Sequence, residues 1–513
     1  MTVKVDYSST TLPDGLGNEF ETSLRRLRSE KPPVEEHIVG GVRRSEGVMF
    51  ERFDPCVPAA RVSAAYAAPS ELVTEAVTQA RRAFQAWRHA TVKERCEGLL
   101  QAAEQIRADL AELSAIVSAE TGKTRLEAIG EVQEAADIVK HYCGLMQDNA
   151  GYNHQLKSSP TEDTYDVLVP YGVFGVIAPF NFPFALSTGM MVGALVAGNT
   201  VVCKPSDKTP RSAGAVASIL ADALPPGVVN LVHGGADVGR GLVETDVDGI
   251  AFTGSAEVGW EIVAATGPLG LPRPVLAEMG GQNPAVVGAT ADLDAAAAGI
   301  VRSAFGLSGQ KCSACRRVIV VREVADALTS KIVERAEQLL VGDPVEISTD
   351  LGPVIDGAIA ARLDEALRVA GEDGRVLTGG RLAQEGNWFS PIVVADLPVG
   401  HSLTREELFG PLLTITQVDS FQDALAEAND VPYGLSAGVF SGEQAEVDQF
   451  VDQIEAGVIY VNRAAGATTG AWPGVQSFCG WKRSGSAGKG GLGHWYIQGF
   501  MHEQSRTIAH PAP

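Results

Sequence analysis

Cys312 stands in a polar, glycine-led turn, Gly309-Gln310-Lys311-Cys312-Ser313-Ala314-Cys315, between a helical stretch and a strand. A thiol in such a turn is accessible, and the adjacent Lys311 favours its thiolate, so Cys312 is a candidate nucleophile. The Cys-x-x-Cys spacing also admits a metal site or disulfide exchange. A structural zinc site normally wants a second cysteine pair or two patterned histidines, and the nine histidines supply neither. Cys315, at the start of a charged strand, reads as a structural cysteine.

Phosphate binding needs backbone N–H groups at a helix start, with small residues around them. Phe252-Thr253-Gly254-Ser255 followed by Gly259 offers one such turn, and Gly234, Gly235 and Gly239 offer another. Neither is a G-x-G-x-x-G fingerprint, and each alone is equally a tight strand-to-helix turn. Lys204-Pro205-Ser206-Asp207 ends a further strand. There a cation reaches ribose hydroxyls or a phosphate, while a carboxylate accepts both ribose hydroxyls and repels a 2′-phosphate. If these residues hold a dinucleotide, Asp207 favours NAD over NADP; otherwise the segment is an exposed turn with two solvated charges.

These residues need a scaffold. Between Tyr171 and Glu278 short β-rich runs (VFGVIA, NTVVCK, VVNLVHG, GIAFTG, PVLAEM) alternate with helical stretches (AGAVASILADAL, ADVGRGLVET, AEVGWEIVAA). That rhythm predicts a parallel, doubly wound α/β domain. The alternation resumes after the glycine-rich EMGGQNP segment, through AAAAGIVRSAF, RRVIVV, ADALTSKIVERAEQLL and DALAEAN, as a second α/β domain. Ahead of the sheet, Leu72, Val73, Ala76, Val77, Ala80, Phe84 and Trp87 recur at helical spacing behind Ser70 as N-cap, and residues 94–117 make another amphipathic helix. Residues 1 to about 34 read as a surface arm without periodicity, and the glycine-rich C-terminus as a docking tail.

The 513-residue chain is 45% hydrophobic, enough for a buried core in two to four domains. With 41 Lys+Arg against 63 Asp+Glu it carries a net charge of −22, which disfavours nucleic acid and anionic membrane as main partners. Its most apolar stretch, 184–203, is broken by Ser187, Thr188, Gly189, Gly193, Gly198, Asn199 and Thr200, and reads as a buried helix and strand. The N-terminal residues show no secretory or import pattern, and seven cysteines are sparse and odd in number, so a cytoplasmic protein with reduced thiols is expected.

Over nearly its whole length, from about residue 35, the chain resembles the aldehyde dehydrogenases. The ordered landmarks are APFNFP (178–183), CKPSD (203–207), FTGS (252–255), AEMGG (277–281), GQKCSA (309–314), EELFGP (406–411) and PYGLSAGVF (432–440). SAFGLSGQKCSAC, VNRAAGATTGA and QSFCGWKRSGSAGKGG further resemble the 1-pyrroline-5-carboxylate dehydrogenase branch, which oxidises glutamate γ-semialdehyde. The resemblance implies a Rossmann-like NAD-binding domain (1–149 and 171–277), an α/β catalytic domain (278–482) and an oligomerisation element (150–170 and 483–513). A homodimer or higher homo-oligomer acting on a small aldehyde follows, with no metal.

The same resemblance assigns Cys312 as nucleophile, Glu278 as general base and Asn181, with the Cys312 N–H, as oxyanion donors. To NAD it assigns Ile177, Pro179, Phe180, Lys204, Ser206, Asp207, Gly235, Gly239, Gly254, Ser255, Gly280, Glu407 and Phe409. To a substrate carboxylate it assigns Ser313, Gly470 and Ala471, with Phe182 and Phe478 sandwiching the aliphatic chain. Phe180 replaces the family's usual Trp. Trp472-Pro473 and Cys479 replace smaller residues, so a bulky Trp472 is expected to shrink or reshape the pocket. Another aldehyde is the nearest alternative substrate; a catalytically silent scaffold of the same fold is disfavoured by the joint presence of Cys312, Glu278 and Asn181.

Overall fold

The computed structural model describes residues 12–13, 15–266, 273–466 and 472–510. Its N-terminal segment departs from the arm expected above. Leu16–Ser29 is a helix, α1, which buries Phe20, Leu24 and Leu27 against the first core. These apolar residues lie four and three apart, a single stripe too short to register as sustained periodicity. Helix α2 (Ser70–Trp87) buries the seven positions anticipated for it. Ser70 is its first helical residue and not its cap, because Pro69 holds the N-cap position and no side chain caps the helix.

The second helical region is two helices. α3 (Val92–Ala108) starts at a reciprocal Thr91–Glu94 capping box, and α4 (Leu110–Thr121) follows a break at Asp109 and ends at Gly122 with φ 75°. α5 (Arg125–Asp148) comes next and is buried along most of its length. α6 (Ala185–Ala197) is enclosed almost all round, and Gly198 terminates it at φ 101°.

The first sheet has seven strands in the order Val275–Glu278, Gly249–Thr253, Val173–Ile177, Thr200–Lys204, Val229–Leu231, His37–Val39, Val42–Arg44. The first five run parallel, and the last two add antiparallel at the edge. Strands Val173–Ile177, Thr200–Lys204 and Gly249–Thr253 are buried at every residue, as apolar runs covered on both faces must be. Helices α7 (Pro210–Ala223), α8 (Ala236–Glu244) and α9 (Ala256–Thr266) connect them. From Val173–Ile177 the chain winds outward one way and returns to Gly249–Thr253 on the other side. That reversal opens a crevice at the strands' C-terminal ends, where residues 178–183, 205–207, 254–255 and 279–281 lie.

The second sheet, ordered Arg375–Arg381, Phe389–Ala395, Leu412–Val418, Cys315–Val321, Asn283–Val287, Ser436–Phe440, Val458–Val461, is parallel except at its first pair. α10 (Leu293–Phe305) packs on it and leads into the Cys312 turn. Cys312 and Glu407 thus precede the N-terminal ends of strands Cys315–Val321 and Leu412–Val418. The chain passes between the sheets at Met279–Gln282.

A third, antiparallel sheet pairs Met501–Ala509 with Glu162–Pro170 and the latter with Asn153–Ser158. Ahead of it Leu492, Tyr496, Ile497 and Phe500 insert into the first core, so the C-terminal tail divides into a docked segment and an exposed strand. Among the described residues no helix is long and apolar enough to cross a membrane.

Candidate active site

The turn that carries Cys312 is conformationally costly and held from several sides. Leu307 and Ser308 adopt φ 51° and 50°, and Gly309 follows at 69°. Left-handed backbone costs a side-chain-bearing residue roughly 1–2 kcal/mol and persists where neighbours over-determine it. Glu127 of α5 accepts the Leu307 N–H at 2.7 Å, and the Ser308 hydroxyl donates to the Gly352 carbonyl at 2.5 Å. Buried Arg316 donates to the carbonyls of Gly410 (2.6 Å) and Lys311 (3.2 Å), stitching this turn to the 407–411 loop. Only glycine fits at 309, where a Cβ would stand 2.2 Å from the Gly410 carbonyl oxygen. Asn283 donates to the Cys312 carbonyl at 2.7 Å.

Cys312, Glu278 and Asn181 line one cavity of about 690 Å³ between the two sheets. Burial pushes the Cys312 thiol up to about 12, with Glu407 and Glu278 adding to the rise. Lys311 does not oppose this as the sequence suggested, because its ammonium pairs with Glu127 at 3.4 Å. Burial likewise holds Glu278 well above the ordinary carboxyl range, and its Oε2 has no hydrogen-bond partner among the described residues. Glu407 accepts the Gly281 N–H at 3.1 Å; burial raises its carboxyl too, against the pull of Arg316. A Cβ at Gly280 would lie 1.8 Å from Glu407 Oε2, so a larger residue there has to displace the Glu407 carboxylate. Asn181 is buried, and one of its two amide N–H groups binds the Gln310 carbonyl at 3.1 Å. The other is available to an oxygen placed beside Cys312.

Ile177, Pro179, Phe180, Ser206, Gly254, Ser255, Gly280, Glu407 and Phe409 line the same cavity. Phe180 and Phe409 meet edge to face at 5.7 Å, and Lys208, paired with Asp356 at 2.6 Å, lies 4.8 Å from the Phe180 ring centre. The Gly254 N–H is engaged by the Glu278 carbonyl at 3.2 Å, which leaves Ser255 and the first turn of α9 as the donors of that wall. Lys204, Asp207, Gly235 and Gly239 form an adjoining cluster outside the cavity proper. Cβ atoms at Gly235 and Gly239 would stand 4.0 Å from Asp207 Oδ2 and 3.4 Å from Lys204 Cε. Lys204 is buried, its ammonium donating to the carbonyls of Pro205 (2.8 Å) and Gly234 (3.3 Å). Asp207 is not a lone carboxylate: Arg52 pairs with it at 2.6 Å.

Phe182, Ser313 and Phe478 line the opposite end, whereas Gly470 and Ala471 lie outside the described residues. Lys123 stacks over the Phe182 ring at 3.6 Å and pairs with Glu131, both fully buried. Glu131 also accepts the Phe184 and Ala185 N–H groups at 2.8 and 3.2 Å, a carboxylate at the N-terminus of α6. Sequence reasoning missed this wall of α5, from which Glu134, Ile138 and Tyr142 reach the cavity. Its signal was present as Glu131, Glu134, Ile138 and Tyr142, which share one helical stripe and mix carboxylates with apolar residues.

Trp472 does not enter the cavity, contrary to the expectation that it would shrink it. The ring is buried against α5, its N–H donating to Asp137 at 3.1 Å. Cys479 points its thiol to the Gly457 carbonyl at 3.2 Å. Cys315 packs in the second core. All seven cysteines are free thiols.

A half-buried thiol, a half-buried carboxylate with one unpartnered oxygen and a free amide N–H around one chamber suit nucleophilic addition to a carbonyl. The crevice, with the Asp207 carboxylate and Lys204 adjoining it, suits a dinucleotide. Comparison with known proteins agrees. Residues 42–505 match the model of the aldehyde dehydrogenase family. The chain is 36% identical over 502 residues to 1-pyrroline-5-carboxylate dehydrogenase of Geobacillus sp. (strain WCH70), covering 96% of this chain and 95% of that one. The structure of 1-pyrroline-5-carboxylate dehydrogenase from Thermus with bound NAD superposes with a TM-score of 0.94 at 33% identity, covering 99% and 100%. An NAD-dependent aldehyde dehydrogenase from Sinorhizobium meliloti gives 0.88 at 30%, covering 96% and 97%.

Proposed function

The chain belongs to the aldehyde dehydrogenase family, and from that premise we propose that it oxidises glutamate γ-semialdehyde, the open form of 1-pyrroline-5-carboxylate, to glutamate. NAD, when bound, supplies the hydride acceptor. The observation that carries the reading is the convergence of Cys312, Glu278 and Asn181 on one chamber. Likeness to two 1-pyrroline-5-carboxylate dehydrogenases along almost the full chain supports the substrate.

Cys312 Sγ gives its proton to solvent water and adds to the aldehyde carbon, whose C=O π pair moves onto the oxygen. The oxygen then carries negative charge, which the free N–H of Asn181 and the Cys312 N–H stabilise; loss of one such donor costs ~10²- to 10³-fold in rate. Departure of the hydride leaves a thioester on Cys312. Glu278 takes a proton from water, the hydroxide attacks the thioester carbon, and the carboxylate product departs as the thiol re-forms. Lys204, Ser206, Asp207, Gly235 and Gly239 hold the adenosine ribose end, and Gly254, Ser255 and α9 the pyrophosphate. Ile177, Pro179, Phe180, Gly280, Glu407 and Phe409 hold the nicotinamide half.

At the other end Ser313 with Gly470 and Ala471 meets the substrate carboxylate, between the rings of Phe182 and Phe478. The exposed strand Met501–Ala509 and its neighbours build a homo-oligomer contact, and the protein works in the cytoplasm. NADH formation by purified protein tests the reading, with glutamate γ-semialdehyde beside succinic semialdehyde and uncharged aliphatic and aromatic aldehydes. The glutamate semialdehyde should give the highest kcat/KM, and Ser313→Ala should raise KM for it far more than for an uncharged aldehyde. Preference for an uncharged aldehyde would overturn the substrate, and absence of turnover the catalytic reading.

A further inference from the structure

Glu127 lies in the first turn of α5, and its two carboxylate oxygens do different work. Oε2 closes a capping box with the Thr124 N–H (3.3 Å) and hydroxyl (3.2 Å), which fixes the direction of the side chain. Oε1 points into the nucleophile turn, where it accepts the Leu307 N–H at 2.7 Å and the Lys311 ammonium at 3.4 Å. Both side chains are shielded, with 16% of Glu127 and 22% of Lys311 exposed. A Cβ at Gly306 would stand 2.7 Å from Lys311 Nζ, so the ammonium is folded back over the start of its own turn. Lys311 nevertheless lines the chamber and adjoins Cys312 in the chain.

A lysine beside a cysteine has the reach to touch its sulfur, and an opposite charge within ~4–6 Å makes the thiolate ~10-fold or more easier to form. Here the charges that face Cys312 are Glu407, Glu278 and buried Arg316, while Lys311 faces Glu127. Lys123, the other ammonium beside Glu127, is held by Glu131. We propose that Glu127 is a positioning residue of this reaction with two tasks: it clamps the strained Leu307–Ser308 backbone that presents Cys312, and it withholds Lys311 from the sulfur. A Cys312 beside a free ammonium would ionise in the resting protein and lie open to oxidants and alkylating agents before any aldehyde arrives. With Lys311 held by Glu127 the resting thiol keeps its proton. The inference rests on the reading of Cys312 as the nucleophile.

Variants at the two positions separate the tasks, each read by the pH dependence of Cys312 alkylation with iodoacetamide and by kcat/KM. Lys311→Met alone should leave alkylation at pH 8 within about threefold, because the ammonium is already engaged. Glu127→Gln keeps an acceptor for the Leu307 N–H but releases Lys311, so alkylation should quicken ~10-fold or more and its pH curve should move down. Adding Lys311→Met to Glu127→Gln should return the rate to that of the unmodified protein. Glu127→Ala also takes the acceptor from buried Leu307, and kcat/KM should fall ~10- to 100-fold below that of Glu127→Gln. A carboxylate with a purely structural role would lower stability and activity together and leave the pH curve of Glu127→Gln in place. That result, or markedly slower alkylation in Lys311→Met, overturns the proposal while the nucleophile reading stands. Turnover that persists in Cys312→Ser removes the nucleophile reading itself, and the proposal with it.

Discussion

Alkylation of Cys312 as a function of pH reads the electrostatics of the chamber directly. The thiol, ordinarily at 9.0, is pushed up to about 12 by burial and by the neighbouring Glu407 and Glu278. Three units correspond to ~4 kcal/mol against the thiolate. At pH 8 the thiolate fraction is then ~10⁻⁴, against ~10⁻¹ for an unperturbed cysteine, so the protein without cofactor should react with iodoacetamide ~10³-fold more slowly than a free thiol. The label can be followed by mass spectrometry, with Cys312→Ser giving the background of the half-exposed Cys56 and Cys479. The logarithm of the rate should climb with unit slope from pH 7 to about 10 without an inflection near 8.5. Glu407→Gln removes one of the two carboxylates that raise the thiol and should move the curve to lower pH. An inflection at or below pH 9 in the unmodified protein, or no shift in Glu407→Gln, would refute the account.

Asn181→Ala should lower kcat/KM by ~10²- to 10³-fold while Cys312 alkylation stays within about threefold; matching losses in both would mean that Asn181 only supports the turn. Gly280→Ala drives a Cβ to 1.8 Å from Glu407 Oε2, so Glu407 must leave its bond to Gly281; NADH binding should weaken and Cys312 alkylation should quicken, and slower alkylation would contradict the placement of Glu407. Glu35 is raised from 4.5 to about 7, chiefly by burial and despite Arg211. The folded state thus holds a proton that the unfolded chain has lost between those values, so stability falls as pH rises through that window. Glu35→Gln should stabilise at pH 8 by up to ~3 kcal/mol and by nothing near pH 4, read from urea midpoints; equal effects at both would remove the argument.

The loops that carry the chemistry were legible because they sit at strand ends, where apolar runs stop and polar or glycine residues begin. Ile177, Lys204, Thr253 and Glu278 are each the last residue of a parallel strand. The seven buried positions of α2 were equally plain, since local periodicity alone specifies them. What escaped was pairing at long range. Lys311 was read with its neighbour Cys312 and instead pairs with Glu127, 184 positions away. Asp207 was read as free and binds Arg52, 155 positions away. Trp472 was placed by analogy beside the substrate, but a partner 335 positions away takes its indole N–H. A side chain's neighbours in sequence say which charges it carries; only packing says which of them are already spent.

Several cations at and around the chamber are spent in this way, and that bears on how an anionic substrate is held. Lys123 is paired with Glu131, Lys311 with Glu127, Lys208 with Asp356 and Arg52 with Asp207. Buried Arg316 donates to backbone carbonyls and faces Glu407. A protein with a net charge of −22 therefore sets these cations to neutralising its own carboxylates and ordering the nucleophile turn. A substrate carboxylate entering the Ser313 end is better met by directional neutral donors, a hydroxyl and backbone N–H groups, than by drawing one of these cations away. To recruit Lys123 it would have to break a fully buried pair, and breaking one by removing a partner is strongly destabilising. Substrate selection by hydrogen-bond geometry and not by charge is thus the arrangement that leaves the Cys312 turn intact during binding. Salt should accordingly weaken substrate binding much less than a free cationic anchor would require.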